Sequence, residues 1–103
     1  MSIHLYYILD DDHHVIAVTA EEWEIWFREN KQWVGFTDFT DKLWVSTMFI
    51  GLNHQFDENG PPLVFETLVR GGPLDGTGRR YSSWDDAEVG HKMFVKKVKE
   101  TMG

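Results

Sequence analysis

The chain has 103 residues, ten basic against seventeen acidic for a formal net charge of -7, with 42% hydrophobic and 15% aromatic residues and no cysteine. That length fits one domain, and the hydrophobic share supports a packed core and not a disordered tail. The acidic balance excludes nonspecific nucleic-acid binding and attachment to an anionic membrane, which need a basic field, and the lack of cysteine excludes disulfides, thiolate zinc sites and cysteine nucleophiles.

Ile3 to Leu9 is apolar, aromatic and β-branched, the composition of a strand. Asp10-Asp11-Asp12-His13 is turn chemistry, because Asp side chains bond their own backbone in tight turns. Val15 to Val18 completes a hairpin. Thr19 reads as an N-cap with Glu22 three residues on, a capping box, and Glu21, Glu22 and Glu24 favour the positive end of a helix dipole. Trp23, Trp26 and Phe27 make one apolar stripe, so a helix is predicted over Ala20 to Lys31.

Trp33 to Thr40 and Leu43 to Ile50 read as strands about an Asp41-Lys42 turn. In the second, Leu43, Val45, Thr47 and Phe49 share one face and Trp44, Ser46, Met48 and Ile50 the other. Large apolar groups on both faces mark a central strand, or one whose outer face meets a helix or a partner. Gly51 to Pro62 is a loop, punctuated by Asn59-Gly60-Pro61-Pro62. Leu63 to Arg70 is a strand, Gly71 to Gly78 a loop holding four of the nine glycines, and Arg79 to Ser82 a short strand. Ser83 caps a last helix, with Asp85, Asp86 and Glu88 at its start and Lys92, Lys96, Lys97 and Lys99 towards its end. Trp84, Ala87, His91, Phe94, Val95, Val98 and Met102 form its buried stripe. Gly90 inside it points to a close packing contact, since glycine there costs up to ~1 kcal/mol against alanine. The order ββ-α-βββ(β)-α predicts a single α+β domain over residues 1–103, an antiparallel sheet of about four to six strands with both helices on one face.

Several clusters bear on chemistry. Asp10-Asp11-Asp12-His13-His14 is the densest set of potential metal ligands, but adjacent side chains on a turn point apart, and a solvated turn accounts for it. Glu88-x-x-His91 occurs once, whereas di-iron bundles need the motif on two helices, so His91 is expected at the edge of the core, bonded to a carbonyl or a loop residue. His54 with Asp57 or Glu66 could act as an acid–base pair and Ser46, Ser82 or Ser83 as nucleophiles, though none sits in a catalytic motif. In Gly71 to Arg80 the glycines allow a close backbone approach to a phosphate, and Arg70, Arg79 and Arg80 flank the loop and could converge on an anion. A surface turn with solvated arginines is the plainer reading. Met1 to Gly51 carries nine acidic and three basic residues, and Leu52 to Gly103 eight and seven. Asp10, Asp11, Asp12, Glu21, Glu22, Glu24 and Glu29 could therefore form one negative face, of the kind that steers a basic partner or merely keeps a surface soluble. Five Trp exceed what a thin sheet and two helices easily hide, so some are expected in a partner or oligomer interface.

Ser46-Thr47-Met48-Phe49-Ile50-Gly51-Leu52-Asn53-His54-Gln55-Phe56, then Gly60-Pro61-Pro62-Leu63-Val64-Phe65-Glu66-Thr67, then Gly71-Gly72-Pro73-Leu74-Asp75, and finally Arg80-Tyr81-Ser82-Ser83-Trp84-Asp85-Asp86-Ala87-Glu88-Val89-Gly90-His91 form a distinctive pattern. From Val45 to His91 the chain resembles a group of small phage- and prophage-encoded proteins. The resemblance implies a viral setting and supplies no catalytic residue. It places His54, Glu66, Arg80 and His91 in the recognisable part, and leaves out the acidic N-terminal half.

Two functional classes follow. The first is a phage accessory protein that binds and blocks a host protein, such as a nucleic-acid-handling defence complex of the CRISPR type. It would act without catalysis through an acidic, aromatic-rich surface containing Asp10, Asp11, Asp12, Glu21, Glu22 and Glu24. The second is a binder of a nucleotide or other phosphorylated anion, using His54, Arg70, Arg79, Arg80 and His91. An enzyme ranks third. No cofactor, metal, direct nucleic-acid contact or membrane span is expected, and a homo-oligomer is compatible with the aromatic excess. Met1-Ser2-Ile3-His4 lacks a basic n-region, which predicts no secretory signal and a cytoplasmic protein.

Overall fold

A capping box, a run of β-branched and aromatic strands and a serine-capped amphipathic helix set the architecture. The computed structural model describes residues 5–30, 32–53 and 60–103. Its elements are β1 (Tyr6–Leu9), β2 (Val15–Val18), α1 (Ala20–Glu29), β3 (Trp33–Thr40), β4 (Leu43–Phe49), β5 (Phe65–Arg70), β6 (Gly78–Tyr81) and α2 (Trp84–Thr101). The class is α+β in the order ββ-α-ββββ-α, with the strands divided between two antiparallel sheets, β1-β2 and β3-β4-β5-β6. The small sheet is joined to the loop after β4 through a bridge between Tyr6 and Leu52 and the 2.8 Å bond from the Tyr7 N–H to the Gly51 carbonyl.

The Thr19 hydroxyl accepts from the Glu22 N–H at 3.1 Å, and the Glu22 carboxylate accepts from the Thr19 N–H at 3.2 Å. This reciprocal cap starts α1 where the sequence places it. The helix stops at Glu29, short of Lys31, because Asn30 turns to extended backbone and its N–H and side-chain amide both donate to the Trp26 carbonyl. On its inner side Trp26 and Phe27 pack against Phe49 in the core with Leu9, Val64, Phe65, Tyr81 and Ala87. None of its residues is fully buried, so α1 is an outer layer with a wet side of carboxylates.

Alternation along β4 turns Val45, Thr47 and Phe49 towards α2 and α1, and Trp44, Ser46 and Met48 the other way. Phe94 and Val98 of α2 join Val45 and Val69 in a second apolar cluster. The buried stripe of α2 is Ala87, Gly90, His91, Phe94 and Val98, the period of 3.6 that the sequence shows. Met102, expected on that stripe, is exposed: it is the C-cap, one turn beyond Val98. Gly90 has a packing reason. A Cβ there would fall on the hydroxyl and ring carbons of Tyr81, which docks against the helix from β6.

Candidate binding surface

The anion-binding reading gives His91 a role as a ligand, and the packing of α2 gives it one at the edge of the core. It enters the core from α2 and lies over the larger sheet, so close to Gly35 that a Cβ there would sit 2.8 Å from the ring. Its Nδ1 bonds the Thr47 hydroxyl at 2.8 Å and its Nε2 the Thr37 hydroxyl at 3.0 Å, while Thr47 also bonds Thr67 on the neighbouring strand. Burial pushes the imidazole below its ordinary value. A ring with both nitrogens engaged by core hydroxyls pins α2 to three strands. It has no nitrogen left for a ligand. The expected partner, a carbonyl or loop residue, is replaced by threonines because Gly35 lets the ring reach the sheet surface.

The other residues of the anion reading separate. Arg80 and Arg79 are neighbours on β6 and therefore point to opposite faces. Arg80 donates from Nε to the Glu66 carboxylate at 3.1 Å, across the registered pair Glu66–Arg80. Arg70 lies on the same face as Arg80 but four residues along β5 from Glu66, opposite Trp44. At the rise of a strand that is about 13 Å. Arg79 faces the α2 side, over the Tyr81 ring at 5.9 Å. His54 lies outside the described residues, as does Asp57. The glycine loop is ordered by its own bonds: the Asp75 carboxylate accepts from the Gly71 N–H at 2.7 Å, and Gly71, at φ 90°, lies against the Lys42 carbonyl.

The acidic residues divide between structural work and open surface. Asp10 holds the β1–β2 turn, its Oδ1 accepting from the N–H groups of Asp12 at 2.9 Å and His14 at 2.8 Å, which lowers its pKa. Glu22 is spent in the capping box, and Glu24 sits 3.7 Å from Arg28. Asp11, Asp12, Glu21 and Glu29 are exposed, and no ion pair is recorded for them among the described residues. The turn also presents His13, in left-handed backbone at φ 66°, stacked on Trp84 at 3.6 Å. Beside it lies a cleft of about 430 Å³ rimmed by Asp12, His14, Asp85 and Glu88. Among the described residues no three His, Asp or Glu side chains converge as a metal centre requires.

Both helices bear on one face of the larger sheet, and no described helix or strand covers the other. Register sorts the side chains of this uncovered face into rows: Trp33, Met48, Glu66, Arg80; then Phe36, Ser46, Leu68, Gly78; then Asp38, Trp44, Arg70. Two register shifts, at Trp33/Gly35 and Asp38/Thr40, fit the edge strand β3 to this arrangement. Trp33 is 47% and Phe36 54% exposed, and their rings meet edge to face at 5.7 Å. The alternation of β4 gave the sequence-level signal for this face. What sequence could not supply was which side the helices would take. The aromatic and acidic features expected on one surface lie apart, the first on the sheet and the second on α1 and the β1–β2 turn.

No protein-family model, curated protein or solved structure compared with the chain matches it. No helix of the described residues is long and apolar enough to cross a membrane.

Proposed function

We propose that this protein works by non-catalytic binding, as a phage accessory protein that occupies a surface of a host nucleic-acid-handling protein, a CRISPR-type effector complex being the partner of the right chemistry. One observation carries the reading: Trp33 and Phe36 stand half-exposed and in mutual contact on a sheet face that nothing described covers. Trp is enriched among the residues that dominate interfaces, and truncating such an anchor costs about 2 kcal/mol or more of binding. Glu66 pairs with Arg80 on this face, and Asp38 and Arg70 stand in one row on either side of Trp44, so the four charges of the face sum to zero. The net charge of -7, with Asp11, Asp12, Glu21 and Glu29 exposed, supplies the long-range field. Such a field speeds encounter with a basic surface, which is what a nucleic-acid-handling protein presents. The likeness of Val45 to His91 to phage-encoded proteins supports a host protein as the partner.

The test uses a purified effector–guide complex and a DNA-cleavage assay. Wild type is expected to bind and to slow cleavage. The Trp33→Ser/Phe36→Ser pair should bind at least tenfold more weakly, and Asp11→Lys/Asp12→Lys/Glu21→Lys should bind more weakly mainly below about 0.1 M salt, where surface charge is least screened. Equal binding by wild type and the aromatic pair overturns the sheet face as the contact. Cleavage unaffected by wild-type protein at saturating concentration overturns the inhibitor reading.

A further inference from the structure

A groove of about 590 Å³ runs between β6 and α2, away from the uncovered sheet face. One wall is β6, the last strand of the order β3-β4-β5-β6, and so a sheet edge. The Val69 N–H bonds the Thr77 carbonyl at 2.9 Å, which makes 69 and 77 a hydrogen-bonded pair. Antiparallel pairing alternates, so Thr67–Arg79 and Phe65–Tyr81 are bonded pairs as well, and the N–H and C=O groups of Gly78 and Arg80 point away from β5. An edge with free donors and acceptors is a template for another strand.

The opposite wall is α2. Val89 and Met93, one helical turn apart, are 59% and 49% exposed there, although both are apolar. The floor is Tyr81 against Gly90, the contact that only glycine permits. Two cations stand at one end: Arg79 over the Tyr81 ring and Lys97 over the Phe94 ring at 5.1 Å. Among the described residues neither has a carboxylate within ion-pair distance. Asp86 and Ser82 mark the other end, where α2 begins. Lys97 lies eleven residues along the helix from Asp86, about 16 Å away. In a protein of net charge -7, two unpaired cations at one end of this groove are a local reversal of sign.

We infer that this groove takes an extended acidic peptide segment of another protein, which adds as a strand to β6 and lays its alternate side chains between β6 and α2. Main-chain bonds to Gly78 and Arg80 supply the pairing. Apolar side chains on the inward face rest on Val89 and Met93. A carboxylate at the Arg79–Lys97 end fixes direction and register. This is the strand-addition mode of peptide recognition, in which the edge gives affinity and the pockets give specificity. The site is independent of the uncovered sheet face, and either can fail alone.

The probes are fluorescein-labelled ten-residue peptides that alternate inward valine with outward serine and carry aspartate in place of valine at the last two inward positions of one end, the same peptide with lysine for aspartate, and the aspartate peptide N-methylated at alternate residues. Anisotropy measures affinity, and amide NMR shifts map the contact. The aspartate peptide is expected to bind at least tenfold more tightly than the lysine peptide, with shifts centred on residues 78–82 and 89–97. N-methylation should remove most of the binding. Arg79→Glu/Lys97→Glu, two exposed positions, should reverse the preference between the charged peptides, with helix content checked by circular dichroism. Met93→Ser should weaken binding about threefold to tenfold with the acidic preference kept. Equal affinity for both charges, shifts elsewhere on the molecule, or no binding at millimolar peptide overturns the inference. So does a concentration-dependent dimer whose shifts fall on β6, because the edge would then be taken by a second copy of this chain.

Discussion

Replacing Gly90 by alanine sets two effects of known size against each other. Alanine in a helix interior is favoured over glycine by about 0.8–1.0 kcal/mol, so local propensity alone predicts a more stable protein. The structure predicts the reverse. The new methyl would overlap the Tyr81 hydroxyl, and Tyr81 is buried among Phe65, Val64 and Ala87 with little room to retreat. Forcing a methyl into a filled core costs typically 1–3 kcal/mol, and an overlap with several ring atoms belongs at the upper end. The net is a loss of about 2 kcal/mol. For a domain of this length that is a fall in Tm of about 8–16 °C. Urea unfolding followed by tryptophan fluorescence measures it. Tyr81→Phe supplies the control, because the hydroxyl has no hydrogen-bond partner among the described residues and is the atom a Cβ at Gly90 meets first. That variant should be as stable as wild type or more so, since an unsatisfied buried hydroxyl costs about 1–3 kcal/mol. Gly90→Ala should be less harmful in its background. A Gly90→Ala protein more stable than wild type refutes the packing argument.

The His91 network makes stability depend on pH. Its folded pKa lies below the unfolded value of about 6.5, so the unfolded chain takes up the proton first and stability is lost as pH falls below that value. This one group can contribute a slope of at most about 1.4 kcal/mol per pH unit, and His91→Gln should flatten the dependence in urea titrations between pH 7 and 5. Gly35→Ala places a methyl 2.8 Å from the same ring and should cost about 1–3 kcal/mol, read as a lower urea midpoint; an unchanged midpoint means the ring can move aside. Thr19→Ala removes the hydroxyl that caps α1 and should cost about 1 kcal/mol by the same measurement. Glu66→Ala breaks a bridge that is only partly shielded, and its effect should stay below about 1 kcal/mol and shrink in salt.

Much of this molecule was legible in its sequence where local chemistry decides. Thr19 and Glu22 announce the start of α1, Ser83 that of α2, and the alternation of Leu43 to Phe49 marks β4 as a central strand. The need for glycine at position 90 was visible as a break in the helical pattern, though its cause, a tyrosine from β6, required the tertiary structure. Less legible was anything that depends on which face the helices choose. Arg70, Arg79 and Arg80 flank one loop in sequence, yet the pleat and register send them to separate places. His91 looked available until Gly35 let its ring reach the threonines. Exposed pairs such as Val89 and Met93, or Trp33 and Phe36, follow from strand order and helix placement, which periodicity does not encode.

Hydroxyl-radical footprinting in a lysate of host cells shows which side chains a partner covers without needing the partner's name. If the uncovered sheet face is the contact, Trp33, Phe36 and Met48 are modified more slowly than in the purified protein, with Met102 at the end of α2 unchanged. Undiminished labelling of those three, with protection found only elsewhere on the molecule, would contradict it.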